Sequence, residues 1–427
     1  MDGRPKATRV AATVSLGTVI VATIVVLGAG AAWKAPCSAG SWSDGRQYKL
    51  LCYTDIVPLY GTEHLQGNRL PFLDACHTSE GQCDEYPVLT MYFMRVAAWV
   101  GHGYGPFFWA NAAGLAGAAL FTAWALFRIV GRRALWFALA PTLLIYGFVN
   151  WDLLAVALAA AGTLAFFRQK DGWSGILLGL GAAAKLFPAF LVVPFALARL
   201  RQGRRQDAGA IALGAAGAYA AVNLPFVLFA PHPWSTFFRF NAVRPADWDS
   251  LWFVLCQRMH GGVGCGWPAK ALNVGSATLF VVLAGVVWFA RRARDRDFPA
   301  WTFGFPILVL FLLTSKVYSP QYGLWLLPWF ALALPNLWLF VAFEAADVAV
   351  FLTRFTWFGR YARDTGQAAF QHFHGAPLGA FEFAVVVRAG VLIVCLAAWV
   401  LGERGRHAIG AAGLERAPGP ALLEAGR

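Results

Sequence analysis

The chain has 427 residues, of which 59% are hydrophobic and only 13% are charged. A soluble globular protein carries about a quarter charged residues, so this composition excludes that class and predicts a helical membrane protein with many spans. The net charge of +13 does not indicate a nucleic-acid partner, because the basic residues lie in short loops between apolar runs, as in the cytoplasmic loops of membrane proteins.

The first apolar run, residues 10–33, follows a basic N-terminus and is longer than the apolar core of a signal peptide. We therefore interpret residues 1–33 as a cytoplasmic N-terminus with a retained signal anchor. Residues 34–104 are predicted to form a long exterior loop, because most of the early charge and four cysteines lie there. Within this loop, the apolar stretch 88–100 is too short to span and predicts a helix at the membrane interface.

The later apolar runs predict a transmembrane bundle over residues 105–402 and about twelve crossings in the whole chain. One of them, residues 134–149, is predicted to cross as a single segment. Residues 173–200 are basic at both ends, which favours a hairpin of two short helices with Lys185 near its bend. The remaining predictions are exterior loops at 231–268, 316–321 and 359–377 and a disordered cytoplasmic tail at 403–427.

The cysteines support this orientation, because six of the seven fall on the predicted exterior side, where disulfides persist. Cys256 and Cys265 predict one bridge. The first loop allows three pairings, among which the sequence does not choose. A zinc site in that loop is the alternative, although no CxxC pair is present. The four cysteines concerned are Cys37, Cys52, Cys76 and Cys83.

Asp55 is the strongest candidate for a catalytic group. A carboxylate just outside a membrane, here beside Tyr53, can act as general base toward a hydroxyl within about 2.6–3.2 Å. The alternative is an aspartate that caps the turn near Pro58. Glu85 is the second candidate carboxylate, either orienting a sugar hydroxyl or capping the interfacial helix.

Lys185 lies inside an apolar segment, where an unpaired lysine costs about 2.5–3.5 kcal/mol and therefore needs a partner or a cavity. A polyprenyl phosphate would be such a partner, and snorkelling to the surface is the alternative. Exterior-loop cations can hold a phosphate leaving group, and hydroxyl or amide side chains can bind sugar hydroxyls. The candidates are His232, Arg239, Arg244 and Lys316 for the phosphate, and Tyr318 and Gln321 for the sugar.

Other charged residues favour structural roles. Asp247 and Asp249 have the DxD form of a divalent-metal site, but such triplets are common by chance, and we expect no metal and no other cofactor. Glu344, Asp347 and Arg388 lie in late spans and are expected to pair across the bundle. No Walker loop, HExxH motif or nucleophile elbow occurs, so soluble nucleotide-sugar or ATP chemistry is unsupported.

Five sequence blocks carry a family resemblance. They are residues 52–60 (CYTDIVPLY), 85–90 (EYPVLT), 150–154 (NWDLL), 179–188 (GLGAAAKLFP) and 316–327 (KVYSPQYGLWLL). Together, and in this order, they resemble bacterial glycosyltransferase family 87. The resemblance implies a GT-C fold, an all-helical integral-membrane bundle that uses a polyprenyl-phosphate sugar, typically mannose, as donor.

The resemblance also implies a mechanism and a location. It maps the general base onto Asp55, with an acceptor hydroxyl of a cell-envelope glycolipid or glycan attacking opposite the phosphate, so that the sugar is transferred with inversion. Lys185, Lys316 and Arg239 would bind the leaving phosphate, and Asp152 either borders the site or caps the next helix. The enzyme would be a hexosyltransferase of the bacterial plasma membrane, with its active site on the exterior, periplasmic face.

Three other functions fit parts of the sequence. A pentosyltransferase using polyprenyl-phosphate arabinofuranose would employ the same scaffold. A transporter or flippase for lipid-linked sugars would suit the broken helices and the intramembrane lysine, but no inverted repeat is visible. A structural membrane scaffold would show neither transfer nor transport, and Lys185→Ala would have no effect.

Overall fold

The computed structural model describes residues 14–76, 83–260 and 265–402, and within these ranges it contains helices and turns but no strand. The predicted cytoplasmic N-terminus before the anchor and the predicted tail at 403–427 lie outside the described residues. In chain order the helices are α1 (Leu16–Lys34), α2 (Arg46–Lys49), α3 (Ile56–Thr62), α4 (Val88–Val100), α5 (Tyr104–Val130), α6 (Leu135–Ala138), α7 (Pro141–Tyr146), α8 (Asp152–Phe167), α9 (Asp171–Ala184), α10 (Pro188–Arg201), α11 (Arg205–Phe229), α12 (Pro231–Val243), α13 (Leu251–His260), α14 (Ala269–Arg294), α15 (Gly304–Thr314), α16 (Gly323–Ala333), α17 (Leu337–Asp364) and α18 (Leu378–Leu401).

Five helical segments in the described part of the chain are long and apolar enough to cross a membrane. They support a membrane protein with several spans, whereas the larger number of crossings expected from the sequence stays a prediction. Several of the other predicted crossings correspond to shorter helices. The five segments are Leu16–Cys37, Tyr104–Ala138, Arg205–Phe229, Ala269–Arg294 and Leu378–Leu401.

The structure differs from the sequence-based expectation in three places, of which the smallest is the predicted exterior loop at 359–377, because α17 continues to Asp364. The predicted single crossing at 134–149 consists of two short helices, α6 and α7, because Pro141 begins α7 and its ring does not fit inside a continuous helix. The predicted exterior loop at 231–268 is largely helical, since it contains α12 and α13.

The segment 173–200 forms two helices, α9 and α10, as its basic flanks predicted. Lys185 ends α9 with an extended backbone (φ −159°, ψ 135°), and Pro188 occupies the first turn of α10, where its missing N–H is tolerated. The break therefore leaves Lys185 outside both helices, at the point where they separate.

Glycine allows α9 to pack very closely on α11. A Cβ atom on Gly175 would lie 2.2 Å from the carbonyl oxygen of Ile211, and one on Gly179 would lie 2.3 Å from that of Ala215. Small residues four apart let helix backbones approach in this way in membranes. The position of Lys185, at the end of α9, therefore depends on these two glycines.

Three disulfides are formed. Cys256 pairs with Cys265, as predicted, and the open question in the first loop is answered by the bridges Cys37–Cys52 and Cys76–Cys83. Cys395 is a buried free cysteine in α18. The four cysteines of the first loop are thus paired with one another, which leaves none of them as a free thiol for the alternative of a zinc site.

Candidate active site

The main chain around Asp55 is fixed to the segment that precedes α8. The N–H of Asp55 donates to the carbonyl oxygen of Val149 at 2.8 Å, and the hydroxyl of Thr54 donates to that of Phe148 at 2.8 Å. On the other side, the Cys37–Cys52 disulfide ties this turn to the end of α1. Asp55 therefore has a defined position although it lies in a connection between short helices.

The Asp55 carboxylate is oriented by two donors and makes no capping hydrogen bond to α3, which follows it. Its Oδ1 accepts from the Tyr53 hydroxyl at 2.8 Å, and its Oδ2 accepts from Asn150 Nδ2 at 2.7 Å. The residue is partly exposed. A carboxylate has about four acceptor positions, so this one retains capacity for the proton of a substrate hydroxyl.

Asn150 joins Asp55 to Lys185. Its Nδ2 also donates to the Tyr86 hydroxyl at 2.8 Å, while its Oδ1 accepts from Lys185 Nζ at 3.2 Å and from the Trp151 N–H at 2.7 Å. Because the ammonium can only donate, it fixes which end of the amide faces Asp55.

Lys185 forms an ion pair with Asp152, with 2.7 Å between Nζ and Oδ2. The other oxygen of Asp152 accepts from the Trp325 indole N–H at 2.6 Å, so Asp152, with a fully buried side chain, borders the site and does not cap α8. Trp325 stacks on Tyr322 with centroids 3.9 Å apart, and Lys185 lies 5.1 Å from the centroid of the Tyr322 ring. The lysine side chain stays 16% exposed, so it remains accessible to a ligand.

Two phenols beside Asp55 are kept protonated. Burial raises the pKa of Tyr53 well above its ordinary value, and the charge of Asp55 raises it further. Burial likewise raises the pKa of Tyr86, again with a contribution from Asp55. Tyr53 uses its proton to hold Asp55, whereas Tyr86 accepts from Asn150, and its own proton is not used in that bond.

Lys34, at the end of α1, was not predicted as a site residue because it resembled an ordinary basic residue flanking a membrane span. Its side chain is buried, and its Nζ donates to the carbonyl oxygen of Tyr53 at 2.8 Å. It also interacts electrostatically with Asp55. Lys34 therefore holds the main chain of Tyr53, two residues before the proposed base.

A second polar cluster contains Arg244 and Lys316, both predicted as phosphate ligands. The Nζ of Lys316 donates to the carbonyl oxygen of Arg244 at 2.6 Å, while Arg244 pairs with Asp247 at 3.3 Å. Ser319 donates to the same oxygen of Asp247 at 3.3 Å. Lys316 is therefore buried and holds the backbone, and Arg244, with 28% of its side chain exposed, is the more accessible cation.

Tyr322 connects this cluster to Lys185. Burial raises the pKa of Tyr322, and the nearby charges of Lys185 and Arg244 act in the opposite direction. Tyr318 stacks on Tyr322 with centroids 6.3 Å apart and lies beneath the Arg388 guanidinium, which is 3.8 Å from its ring centroid. Gln321 is buried in the turn between the two tyrosines.

The two aspartates of the DxD triplet are held by different arginines. Asp247 pairs with Arg244, while Asp249 pairs with Arg354 and lies 3.9 Å from Arg388. Among the described residues, no group of three or more metal-binding side chains occurs.

The late-span charges pair in part as predicted. Arg388 forms a 3.0 Å ion pair with Asp347. Glu344 instead accepts the N–H of Thr142 at 2.8 Å.

Arg354 in α17, which was not among the predicted site residues, is a further cation near Tyr53. Phe355, its neighbour, packs on Tyr53 with ring centroids 5.2 Å apart. The charge of Arg354 lowers the pKa of Tyr53, against the larger effect of burial. Arg354, which pairs with Asp249, is therefore a further charged group near the Tyr53 side of the site.

The structure does not bring all predicted site residues to Asp55. His232 and Arg239 lie together on α12, both exposed, with 2.8 Å between His232 Nε2 and Arg239 Nη1. Glu85 is half-buried next to Tyr86, and its main-chain N–H donates to Glu63 at 3.3 Å. These residues lie around the site, and the direct contacts of Asp55 are made by Tyr53 and Asn150.

Comparison with curated proteins gives no match. Among solved structures, the chain is similar to ArnT from Cupriavidus metallidurans bound to undecaprenyl phosphate, with a TM-score of 0.45 and 14% identity over 91% of this chain and 78% of that chain. The apo form of ArnT gives a TM-score of 0.43 and 15% identity over 90% and 78%. Residues 85–320, more than half of the chain, match glycosyltransferase family 87. The chain therefore belongs to glycosyltransferase family 87.

Proposed function

We propose that this membrane glycosyltransferase transfers a sugar, mannose by our expectation, from a polyprenyl-phosphate donor to a hydroxyl of a cell-envelope glycolipid or glycan. The observation that carries the proposal is the arrangement around Asn150. This amide orients a partly exposed carboxylate, Asp55, and at its other end binds an accessible lysine, Lys185. A base and a phosphate-binding cation are the two groups that transfer from a phosphate ester requires.

In the proposed reaction, the acceptor hydroxyl gives its proton to Asp55 while its oxygen attacks the anomeric carbon of the donor sugar. The bond between that carbon and the phosphate oxygen breaks, and its electron pair leaves with the phosphate. The products are the glycosylated acceptor and the polyprenyl phosphate, and the configuration at the anomeric carbon is inverted. The leaving group is a monophosphate ester, so we expect no metal.

Lys185 is the best placed of the proposed phosphate ligands. It lies at the break between α9 and α10, where its ammonium is anchored by Asp152 and yet partly exposed. Arg244 is the accessible cation across Tyr322, and Lys316 supports its backbone. Arg239 and His232, together on α12, would meet the ligand only at the edge of the site.

Sugar recognition is assigned to groups on the borders of the site. Tyr318 and Gln321 lie in the turn before α16, and Tyr53, Tyr86 and Glu85 lie on the side of Asp55. Hydroxyl and amide groups of this kind discriminate well between substrates that differ in a hydroxyl, because an unmatched buried polar group is costly. We place this surface on the exterior face of the bacterial plasma membrane, in agreement with the three disulfides.

The experiment that tests this function supplies the purified protein in liposomes with radiolabelled polyprenyl-phosphate mannose or polyprenyl-phosphate arabinofuranose, together with extracted envelope glycolipids. We expect labelled mannolipid and released polyprenyl phosphate in equal amounts. Consumption of the arabinose donor alone would identify a pentosyltransferase. Movement of the labelled lipid across the bilayer without product would identify a transporter and contradict the proposal.

A further inference from the structure

Glu63 is a buried carboxylate at the far end of the short helix that follows Asp55. Helix α3 begins directly after Asp55 and ends directly before Glu63, so one helix joins the two acidic residues. The helix is fixed in the core by buried side chains, among them Tyr60, whose ring lies 4.7 Å from that of Phe107 in α5. The helix therefore holds Asp55 and Glu63 in a fixed relation to each other.

The Glu63 carboxylate accepts hydrogen bonds from two consecutive main-chain groups, the N–H of Asp84 at 2.6 Å and the N–H of Glu85 at 3.3 Å. Asp84 has a left-handed backbone conformation (φ 66°). Such a conformation is unfavourable for a non-glycine residue and persists only where the surroundings enforce it. Besides Glu63, Arg69 holds Asp84 in this conformation by donating two hydrogen bonds to its carboxylate, at 2.7 and 3.2 Å.

The next residue along the chain is Tyr86, which contacts the active site. Its hydroxyl accepts from Asn150 Nδ2 at 2.8 Å, and the same nitrogen donates to Asp55 at 2.7 Å. Its ring packs on Trp151 with centroids 5.3 Å apart. Asp55 and Glu63 are thus connected by two routes. The first is helix α3, and the second consists of the main chain of residues 84–86, Tyr86 and the Asn150 amide.

We propose that Glu63 is a positioning residue: by holding the main chain of residues 84 and 85, it places the Tyr86 phenol on Asn150 and so fixes the amide that orients Asp55. The catalytic part of this inference rests on the proposed function. The structural part, in which Glu63 controls the position of Tyr86, is independent of the reaction.

The charges around Glu63 make this arrangement sensitive to pH. Burial raises the pKa of Glu63 from an ordinary value of 4.5 to about 7, against the hydrogen bonds from the main-chain N–H groups of Asp84 and Glu85, which lower it. The charges of the Asp84 and Glu85 side chains act in the same direction as burial. Arg69 faces Glu63 at 3.9 Å, and Tyr92 of α4 faces Arg69 and Asp84. When Glu63 is protonated, one of its two oxygens carries a proton and is a poorer acceptor for the N–H groups of residues 84 and 85. The hydrogen bonds that hold these residues therefore weaken as the pH falls through about 7.

Stability and activity should respond to this proton in opposite directions. Because the pKa of Glu63 is raised in the folded state, the protonated carboxyl contributes stability that is fully present below about pH 4.5, and ionisation removes this stability as the pH rises through about 7. The positioned, active geometry is the ionised one. A purely structural role for Glu63 would not produce activity that rises with pH while stability falls.

The test compares Glu63→Gln with Asp74→Asn, in the full chain reconstituted in liposomes. Asp74 is an exposed carboxylate of the same loop that accepts the N–H of Leu70 at 2.7 Å, so its substitution is the matched control. We expect Glu63→Gln to lower kcat about 10- to 100-fold with little change in the KM for the donor, because misplacement of the base has effects of this size. In the wild type, kcat should fall as the pH decreases through about 7, and Glu63→Gln should not show this fall. The Asp74→Asn control should keep wild-type kinetics.

Whether Glu63 acts through Tyr86 is tested with Tyr86→Phe, alone and combined with Glu63→Gln. If Glu63 acts through Tyr86, the double variant should be no slower than the slower single variant, because effects that share one path are not additive. The proposal would be overturned if the fold-loss of kcat in the double variant equalled the product of the two single losses. A wild-type pH profile in Glu63→Gln would also overturn it.

Amide hydrogen exchange of the peptide containing Asp84 and Glu85 separates this inference from the proposed function. Wild-type protein should exchange these amides faster as the pH falls through about 7, after correction for the intrinsic rate, and Glu63→Gln should exchange them faster at neutral pH. The wild-type measurement still tests the positioning role of Glu63 if the Glu63→Gln variant does not fold. Unchanged exchange would overturn the positioning role, whereas faster exchange in a protein that transfers no sugar would overturn the proposed function and keep that role.

Discussion

One amide group, that of Asn150, connects the proposed base with the proposed phosphate ligand. Its nitrogen donates to Asp55 and its oxygen accepts from Lys185. Because the amide is uncharged, it holds both groups in place without neutralising either. Lys185 pairs with Asp152, which leaves the Asp55 carboxylate to take a proton from the acceptor.

The pair of Asp152 and Lys185 gives a prediction at the residue scale. In Asp152→Asn, the amide oxygen can still accept from Trp325, but the amide nitrogen would face the ammonium of Lys185. Removal of one partner of a buried ion pair costs about 3–5 kcal/mol, and we expect the lower end because Lys185 is 16% exposed. Thermal denaturation of the detergent-purified variant measures this loss.

The double variant Asp152→Asn, Lys185→Met separates stability from donor binding. Without the lysine no charge is left unpaired, so we expect most of the lost stability to return. Donor binding should be about 10- to 100-fold weaker than in the wild type, since a charge-assisted hydrogen bond to phosphate contributes about 1.5–3 kcal/mol. A double variant that bound the donor normally would show that Lys185 is not a phosphate ligand.

Charged members of this site were easier to predict from the sequence than neutral ones. Asp55, Asp152 and Lys185 stand out because charges are rare in an apolar chain, and the structure brings these three together around Asn150. Asn150 itself and Tyr86 had no such signal, since their roles depend on contacts between segments far apart in sequence. Recognising them required the fold.

Among the structural elements, the break between α9 and α10 is the one that delivers a charged group to the site. It could be predicted because both flanks of the segment are basic, which is incompatible with a single crossing. The interruption at Pro141 was not predicted, since a short apolar run that contains proline is also compatible with one kinked helix.

The close packing of α9 on α11 gives a prediction at this scale. In Gly179→Ala, the new Cβ would lie 2.3 Å from the carbonyl oxygen of Ala215, so the backbones must separate. Overpacking of this kind costs about 1–3 kcal/mol. We expect a lower Tm and weaker donor binding, because Lys185 follows directly at the end of α9.

Gly217→Ala is the matched control for this change. It lies on α11 with no atom within 4 Å of an added Cβ. Alanine favours a helix over glycine by about 1 kcal/mol, so the control should be neutral or slightly more stable. Equal losses in both variants would show that α9 and α11 do not depend on close glycine packing.

In the whole molecule, the helical membrane class follows from composition, whereas the number of crossings does not. Apolar runs were counted as spans, but some of them form apolar helices shorter than a full span, such as α8 and α15, and length alone supports five spans among the described residues. The pairing of the first-loop cysteines likewise required three-dimensional proximity. The sequence therefore predicts that the chain lies in a membrane and which charged residues are functional candidates. Which of these residues contact one another is decided by tertiary contacts.

The central claim, that Asp55 is the base of a glycosyl transfer, is tested most directly by Asp55→Asn. The Tyr53 hydroxyl can accept as well as donate, so the amide is tolerated and the fold and donor affinity should be retained. Loss of a general base should lower kcat by about 10²–10⁴-fold. Single-turnover transfer from a radiolabelled polyprenyl-phosphate sugar, measured beside donor binding on the same preparation, gives both values. Wild-type kcat in a folded, donor-binding Asp55→Asn enzyme would contradict the claim.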